Sequence, residues 1–250
     1  MKKYNYPNLI KAFAQEKFGY PNEYDASQIF LDALFFLSTG IENKTIENLK
    51  EKEKKLLGKA VGEFLVEASK EPFTDILGDY ILETKSKKDK QWKGQFFTPQ
   101  TVCDFMAQTT MIDVTEEKIF QRIKNGESYM IAEPSTGSGR MILSAAKELT
   151  KKIPFELTTY LEVWATDIDI TCVKMTAINT AIWGIPTAVV WGDALIPKET
   201  DKVFYNVPFA VLKNNQEKIK KLKGAIDSLK KLLETKPEIE EVKPLSLWNI

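Results

Sequence analysis

Glu133-Pro134-Ser135-Thr136-Gly137-Ser138-Gly139 sets a carboxylate, small side chains and two glycines between an apolar run ending at Ala132 and a helical pattern starting at Arg140. Glycine has no side chain to obstruct a ligand and tolerates positive φ, so such a loop allows close approach to the backbone. The N–H groups at the start of the next helix are donors suited to a carboxylate or phosphate. Strand, tight loop and helix in that order build nucleotide-binding sites in α/β proteins. Two more carboxylates close later apolar runs, Asp167 after Trp164-Ala165-Thr166 and Asp193 after Trp191-Gly192. At the end of a second strand, Asp167 stands where a ribose would lie and can accept from both hydroxyls. Asp169 reads as the cap of the following helix. The chain has no histidine, which excludes His-based triads, His metal clusters and the usual base near neutral pH.

The elements that must position these residues follow from periodicity. Up to about residue 90 the pattern is helical: Phe30, Leu31, Leu34, Phe35 and Leu37 recur at helical spacing, as do Leu56, Leu57, Val61, Phe64 and Leu65. Gly78 and the lysine-rich stretch from Lys85 mark a break. Strands are predicted near Ser128–Ala132, Glu162–Thr166, Ala188–Trp191 and Val203–Tyr205, with helices near Thr101–Met111, Arg140–Lys151 and Ile170–Gly184. Such alternation implies an α/β fold with a mainly parallel sheet covered by helices. After Pro208, the residues Ile219, Leu222, Ile226, Leu229 and Leu232 form one apolar stripe among Lys, Glu and Asn, which predicts an amphipathic helix. Val242 to Ile250 could add one more strand.

Composition narrows the function classes. With 43% hydrophobic and 28% charged residues, the 250-residue chain reads as an ordinary globular protein. The longest apolar run, Ile29 to Leu37, is too short to span a bilayer, and Met-Lys-Lys leads into no signal-peptide core, so a cytoplasmic location is expected. Two cysteines, Cys103 and Cys172, without CxxC spacing make no metal site, and a buried, reduced role is expected for both. A formal net charge of zero argues against strong autonomous DNA binding. Local basic patches at Lys85–Lys93 and at Lys218, Lys220, Lys221 and Lys223 read either as solvated surface or as phosphate contacts.

Three motifs in order carry a resemblance: Gly94-Gln95-Phe96-Phe97-Thr98-Pro99, the Glu133–Gly139 loop, and Asn206-Val207-Pro208-Phe209. Together they resemble S-adenosylmethionine-dependent adenine-N6 DNA methyltransferases, of the kind found as modification subunits of type I restriction systems. The resemblance spans roughly residues 75 to 212. It implies a Rossmann-like methyltransferase sheet, here stopping after its fourth strand, behind an N-terminal helical region. The implied division is residues 1–90 helical, 91–212 the cofactor-binding core, and 213–250 an amphipathic helix and tail. Gln95, Phe97, Thr98 and Pro99 would close over the methionine end of the cofactor. Glu133, Ser135, Gly137 and Gly139 would form the loop pocket, with Ser135-Thr136 in place of the more usual Ala-Cys. Asp167 would hold the ribose, Ile168 would pack on the adenine face, and Asp193 would accept from the adenine amine.

The same resemblance makes Asn206, Val207, Pro208 and Phe209 the catalytic set. The target amine is conjugated with its ring and weakly nucleophilic, so acceptors must polarise its N–H bonds. The Asn206 side-chain oxygen and the Val207 carbonyl would supply these, and Phe209 would stack on the flipped base. Val207 replaces a proline of the family pattern and loses its fixed φ, which predicts a slow or inactive site. A complete methyltransferase sheet has about seven strands, and the 41 residues after Phe209 cannot supply three more with crossovers, nor a target-recognition domain. That leaves a truncated chain or a minimal member, with sequence specificity supplied by a specificity subunit or another restriction-modification protein. The implied cofactor is S-adenosylmethionine, the implied partner DNA, and neither a metal nor a membrane is implied. Two other readings stay open: a catalytically impaired module that binds cofactor or partner, and a protein glutamine methyltransferase, whose motif is Asn-Pro-Pro-Tyr.

Overall fold

The computed structural model describes residues 4–84 and 97–234. The Lys85–Lys93 stretch, Gly94, Gln95, Phe96 and the Val242–Ile250 tail lie outside the described residues. The described residues divide into two compact units, with the boundary between Leu212 and Lys213.

The first unit begins with helices α1 (Tyr6–Phe18), α2 (Glu23–Thr39), α3 (Lys44–Glu47), α4 (Glu51–Ser69) and α5 (Ile76–Thr84). Local chemistry sets their ends. The Asn22 side chain caps α2 by accepting from Asp25 N–H, and Gly19 and Gly40 close α1 and α2 with left-handed φ of 76° and 74°. Aromatic rings lock the bundle: Tyr6 stacks on Phe30 at 5.9 Å and meets Phe64 edge-on at 5.3 Å.

Next come α6 (Gln100–Thr110), α7 (Glu116–Lys124), β1 (Tyr129–Glu133), α8 (Arg140–Leu149), a 3-10 turn (Phe155–Tyr160), β2 (Leu161–Asp167), α9 (Ile170–Ile182), β3 (Thr187–Trp191) and β4 (Lys202–Tyr205). The sequence-predicted strands and helices fall on these within a residue or two. The exception is α7, which was not predicted, although Thr115 caps it by accepting from Lys118 N–H. Asp169 caps α9, accepting from Thr171 N–H at 2.8 Å. Both cysteines are buried and free.

The sheet order is β1-β2-β3-β4. β1, β2 and β3 run parallel, each following the last through a helical crossover, whereas β4 pairs antiparallel with β3. The reason is length. Only residues 192–201 join β3 to β4 and they hold no helix, while a parallel return needs a crossover of a dozen or more residues. The sheet is therefore mainly parallel, with its fourth strand reversed.

α9 lies between the sheet and the N-terminal helices, so a single core joins the two regions. It runs from Tyr6, Phe30, Phe64 and Leu77 through Val173 and Ile178 to Val163 and Val189. An ion pair between Lys174 of α9 and Asp32 of α2 ties them at the rim. A smaller cluster around Met111, Ile119, Leu149 and Leu161 seats α6 and α7 on the sheet. The predicted amphipathic helix is α10 (Val207–Glu234), whose residues to Leu212 belong to the first unit and the rest to the second. Leu222 and Ile226 on it are exposed. No helix among the described residues is long and apolar enough to cross a membrane.

Candidate cofactor site

Three successive strands deliver their carboxyl ends to one edge of the sheet. β1 ends at Glu133, β2 ends at Asp167, and Asp193 follows the end of β3 by two residues. Asp167 and Trp191 are register partners, and Gly192 N–H donates to the Asp167 carbonyl at 3.1 Å. This edge, at the carboxyl ends of the parallel strands, is where open α/β sheets bind ligands.

The loop is built around Asp167. Gly137 N–H donates to Asp167 Oδ2 at 2.8 Å, and Asp169 N–H donates to Oδ1 at 2.9 Å. Burial pushes the Asp167 carboxyl above its ordinary value, against the lowering effect of these N–H donors. Gly137 and Gly139 have φ of 56° and 84°, a region costly for residues with a Cβ. A Cβ at Gly137 would come within 3.2 Å of the Phe97 ring, so the loop and the Phe97 segment are in direct contact. Thr136 N–H donates to Thr166 O at 3.0 Å, fixing the loop to β2.

Glu133 Oε1 accepts from Ser135 N–H at 3.2 Å, and Asp193 Oδ1 accepts from Leu195 N–H at 2.9 Å, so each shapes its own turn. A carboxylate has further lone pairs for a ligand. Ile168 is 74% exposed and Trp191 37% exposed, which gives the edge an apolar, aromatic surface. Thr98 and Pro99 are exposed beside Phe97. The structure thus gathers Phe97, Thr98, Pro99, Glu133, Ser135, Gly137, Gly139, Asp167, Ile168 and Asp193 at or next to one edge. Gln95 is outside the described residues.

Asn206 is not brought to that edge. Because β4 runs backwards along β3, it carries Asn206 to Thr187, the first residue of β3. Asn206 N–H donates to Thr187 O at 3.0 Å, and Thr187 N–H donates to Asn206 Oδ1 at 2.9 Å. The four residue-to-residue steps from Thr187 to Trp191 separate Asn206 from the carboxyl edge by about 13 Å, at roughly 3.3 Å per step. Its amide is fully buried and engaged: Oδ1 also accepts from Phe209 N–H, and Nδ2 donates to Thr180 Oγ1 and Ile185 O. Phe209 stacks on Tyr205 at 4.9 Å and meets Trp164 edge-on at 5.8 Å. Val207 is exposed and Pro208 partly so. In this arrangement Asn206 acts as a hydrogen-bonded lock between β4 and the turn before β3.

Sequence reasoning passed over Thr176 and Arg140. Thr176 Oγ1 donates to Gly137 O and contacts Thr136 Oγ1, and its Cα lies 3.3 Å from where a Cβ on Gly139 would be. Its type gave no signal in the sequence, because Thr171, Lys174, Asn179 and Thr180 are polar residues on the same helix. Arg140 Nη1 donates to Thr98 O at 3.2 Å, and its guanidinium stands 5.9 Å from the Phe97 ring, linking the loop to the segment over it.

A glycine loop gripped by a strand-end carboxylate, with acidic groups closing neighbouring strands, defines an α/β protein whose sheet edge has the build of those that bind nucleotides in such folds. The chain belongs to the N-6 DNA methylase family, whose profile matches residues 69–228. Among solved structures it is similar to a Listeria monocytogenes protein described as a class I S-adenosylmethionine-dependent methyltransferase. That match has 12% identity and a TM-score of 0.41, covering 78% of this chain and 54% of that one. It is also similar to the type I restriction-modification system methyltransferase subunit from Streptococcus thermophilus, at 15% identity and a TM-score of 0.37, covering 78% and 40%. The chain therefore spans about half or less of the length of these structures. No curated protein matches it.

Proposed function

We propose that this chain binds S-adenosylmethionine at the carboxyl edge of the sheet, as part of the machinery that methylates the N6 amine of adenine in DNA. The observation that carries the reading is the Gly137 N–H bond to Asp167, set inside the stretch matched by the N-6 DNA methylase family. The residues present fit the cofactor. Gly137 and Gly139 let the loop take its left-handed turns beside the methionine end, with Phe97, Thr98 and Pro99 over them. Asp167 accepts from the ribose hydroxyls, Ile168 lies along the adenine, and Asp193 accepts from the adenine amine. When bound, the cofactor supplies an electrophilic methyl on a sulfonium. Transfer to an amine then depends on positioning and on polar acceptors rather than on a histidine base.

One observation favours a second reading for this chain's own part. Asn206 is buried, fully engaged and at the opposite end of β3. With that geometry the chain holds cofactor but does not present its Asn206-Val207-Pro208-Phe209 motif to a flipped base. It is then a catalytically silent module, with a specificity subunit or another restriction-modification protein supplying sequence recognition. The exposed Leu222 and Ile226, beside Lys218, Lys220, Lys221 and Lys223, support a contact of that kind.

Calorimetric titration with S-adenosylmethionine tests the first reading: micromolar to sub-millimolar binding is expected, weakened about tenfold or more by Asp167→Ala, which removes charge-assisted hydrogen bonds. No binding at millimolar cofactor would sink it. A methyl-transfer assay on adenine-containing DNA separates the two readings, since turnover abolished by Asn206→Ala would require the motif to reach the cofactor edge.

A further inference from the structure

Asp75 stands in the turn before α5, in the N-terminal helical region, yet its carboxylate reaches the cofactor loop. It is 1% exposed and accepts five hydrogen bonds. Oδ1 takes Gly78 N–H and Asn179 Nδ2, both at 2.8 Å. Oδ2 takes Ser138 Oγ, Arg140 Nε at 3.3 Å and Arg140 Nη2 at 2.9 Å. Asn179 also donates to Ser138 O at 2.8 Å, so Ser138 is gripped through both its hydroxyl and its carbonyl. Ser138 adjoins Gly137, whose N–H meets Asp167. Arg140 is the first residue of α8 and reaches Thr98 O and the Phe97 ring.

We infer that Asp75 is a positioning residue for the cofactor site, one carboxylate that fixes both the Pro134–Gly139 loop and the Phe97–Pro99 segment over it. Three features of the approach agree. A Cβ on Gly78 would fall 2.2 Å from Asp75 Oδ2 and 2.8 Å from the Ser138 Cβ, so the backbone of α5 is pressed against the loop with no room to spare. Phe73, two residues earlier, is the sole non-glycine residue with positive φ among those described, at 58°. Its ring is held at 5.2 Å from Trp183 and 6.1 Å from Phe155. A strained residue of this kind persists where surrounding contacts over-determine it. Apolar packing alone has no use for a carboxylate here, since burying a charge is costly unless it is paired and hydrogen-bonded. The charges facing Asp75 are Arg140, with its side chain 11% exposed, and Asp79, which shares Arg140 at 2.7 Å.

The affinity arm of the test rests on the proposed cofactor reading, whereas the exchange arm does not. Amide hydrogen exchange is measured on the full chain without cofactor for wild type, Asp75→Asn and Ser138→Ala, together with S-adenosylmethionine titrations. Asp75→Asn is expected to speed exchange at Gly137 and neighbouring loop amides about tenfold or more, from the loss of charge-assisted bonds. Strand amides such as Val163, bonded to Pro186 O, keep wild-type protection. Cofactor affinity falls about tenfold in parallel. Ser138→Ala removes one donor without stranding a charge and is expected to give the same pattern at smaller size, which covers an Asp75→Asn protein that does not fold. Loop exchange unchanged in Ser138→Ala, or exchange raised uniformly across strands and loop, would overturn the inference. A wild type that binds no cofactor would refute the functional reading, while the exchange comparison would still decide the role of Asp75.

Discussion

Asp167 is pulled in two directions, and the balance sets a pH dependence. Burial raises its proton affinity, the N–H groups of Asp169, Gly137 and Ile168 lower it, and the nearby Asp169 charge raises it again; the net direction is upward. For folding, a raised value favours the protonated acid. That contribution is complete below the unfolded-chain value of about 3.9 and fades as pH rises through the folded value. Cofactor binding runs the other way, because ribose hydroxyls donate best to the ionised carboxylate. Affinity for S-adenosylmethionine is therefore expected to be flat near neutral pH and to fall as the solution is acidified through the folded value of Asp167. The fall starts at a higher pH than an ordinary aspartate would give. Calorimetry across an acidic pH series, repeated in buffers of different ionisation enthalpy, should register proton release on binding in that window. Asp167→Asn should bind weakly with a flat profile, and an identical slope in wild type and variant would assign the dependence to another group. The place of Asp167 at the end of the second strand was legible from the strand pattern, which left helix capping open as an alternative to a ribose contact. Its grip on Gly137 was not, since that bond joins residues thirty apart through a loop conformation that glycine leaves open.

At the scale of elements, the reversal of β4 decides what the Asn206 motif can do. The strand itself was predicted from Val203–Tyr205, but its direction was taken from the general alternation of strands and helices. The contrary signal was in the sequence: the link over residues 192–201 has no helical periodicity and is too short for a crossover. Antiparallel pairing then follows, and Asn206 is drawn to the amino end of β3, where it caps the start of α10 and bonds Thr187, Thr180 and Ile185. If Asn206 holds this hairpin in place, Asn206→Ala should destabilise the fold by roughly 1–3 kcal/mol, the cost of leaving buried backbone and hydroxyl groups without partners. Urea unfolding followed by far-ultraviolet circular dichroism measures this directly, while cofactor affinity at the distant edge should stay within about twofold. A variant as stable as wild type would mean that Asn206 is free to leave β3, and the catalytic reading would regain the geometry it needs.

For the whole molecule, the division read from the sequence at residue 90 follows a change in periodicity, which marks where helices give way to a sheet but not where one core ends. α9 exposes apolar side chains on two sides, to the sheet and to α2, and that double burial makes residues 1–212 one unit. A face-by-face reading of Ile170–Ile182 shows almost continuous burial, from Thr171 to Thr180, with only Lys174 interrupting it. The available sequence clue was that Ile170–Ile182 carries a single charged residue, Lys174, and so has no charged face to turn to solvent. Two truncations follow with opposite outcomes. None of the residues 213–228 is buried. A chain ending at Leu212 should therefore melt cooperatively within a few degrees of the full chain and keep its cofactor affinity. Removing residues 1–70 strips Tyr6, Phe13, Phe30, Leu57 and Phe64 from the shared core, each deletion of such a side chain being worth about 2–5 kcal/mol. The remainder should show no cooperative transition, because the total stability of a domain is only about 5–15 kcal/mol. Thermal denaturation of both truncated chains checks the pair. A folded chain lacking residues 1–70 would mean that the sheet and α9 close a core of their own, and the N-terminal helices would then be an attachment rather than one wall of the cofactor site.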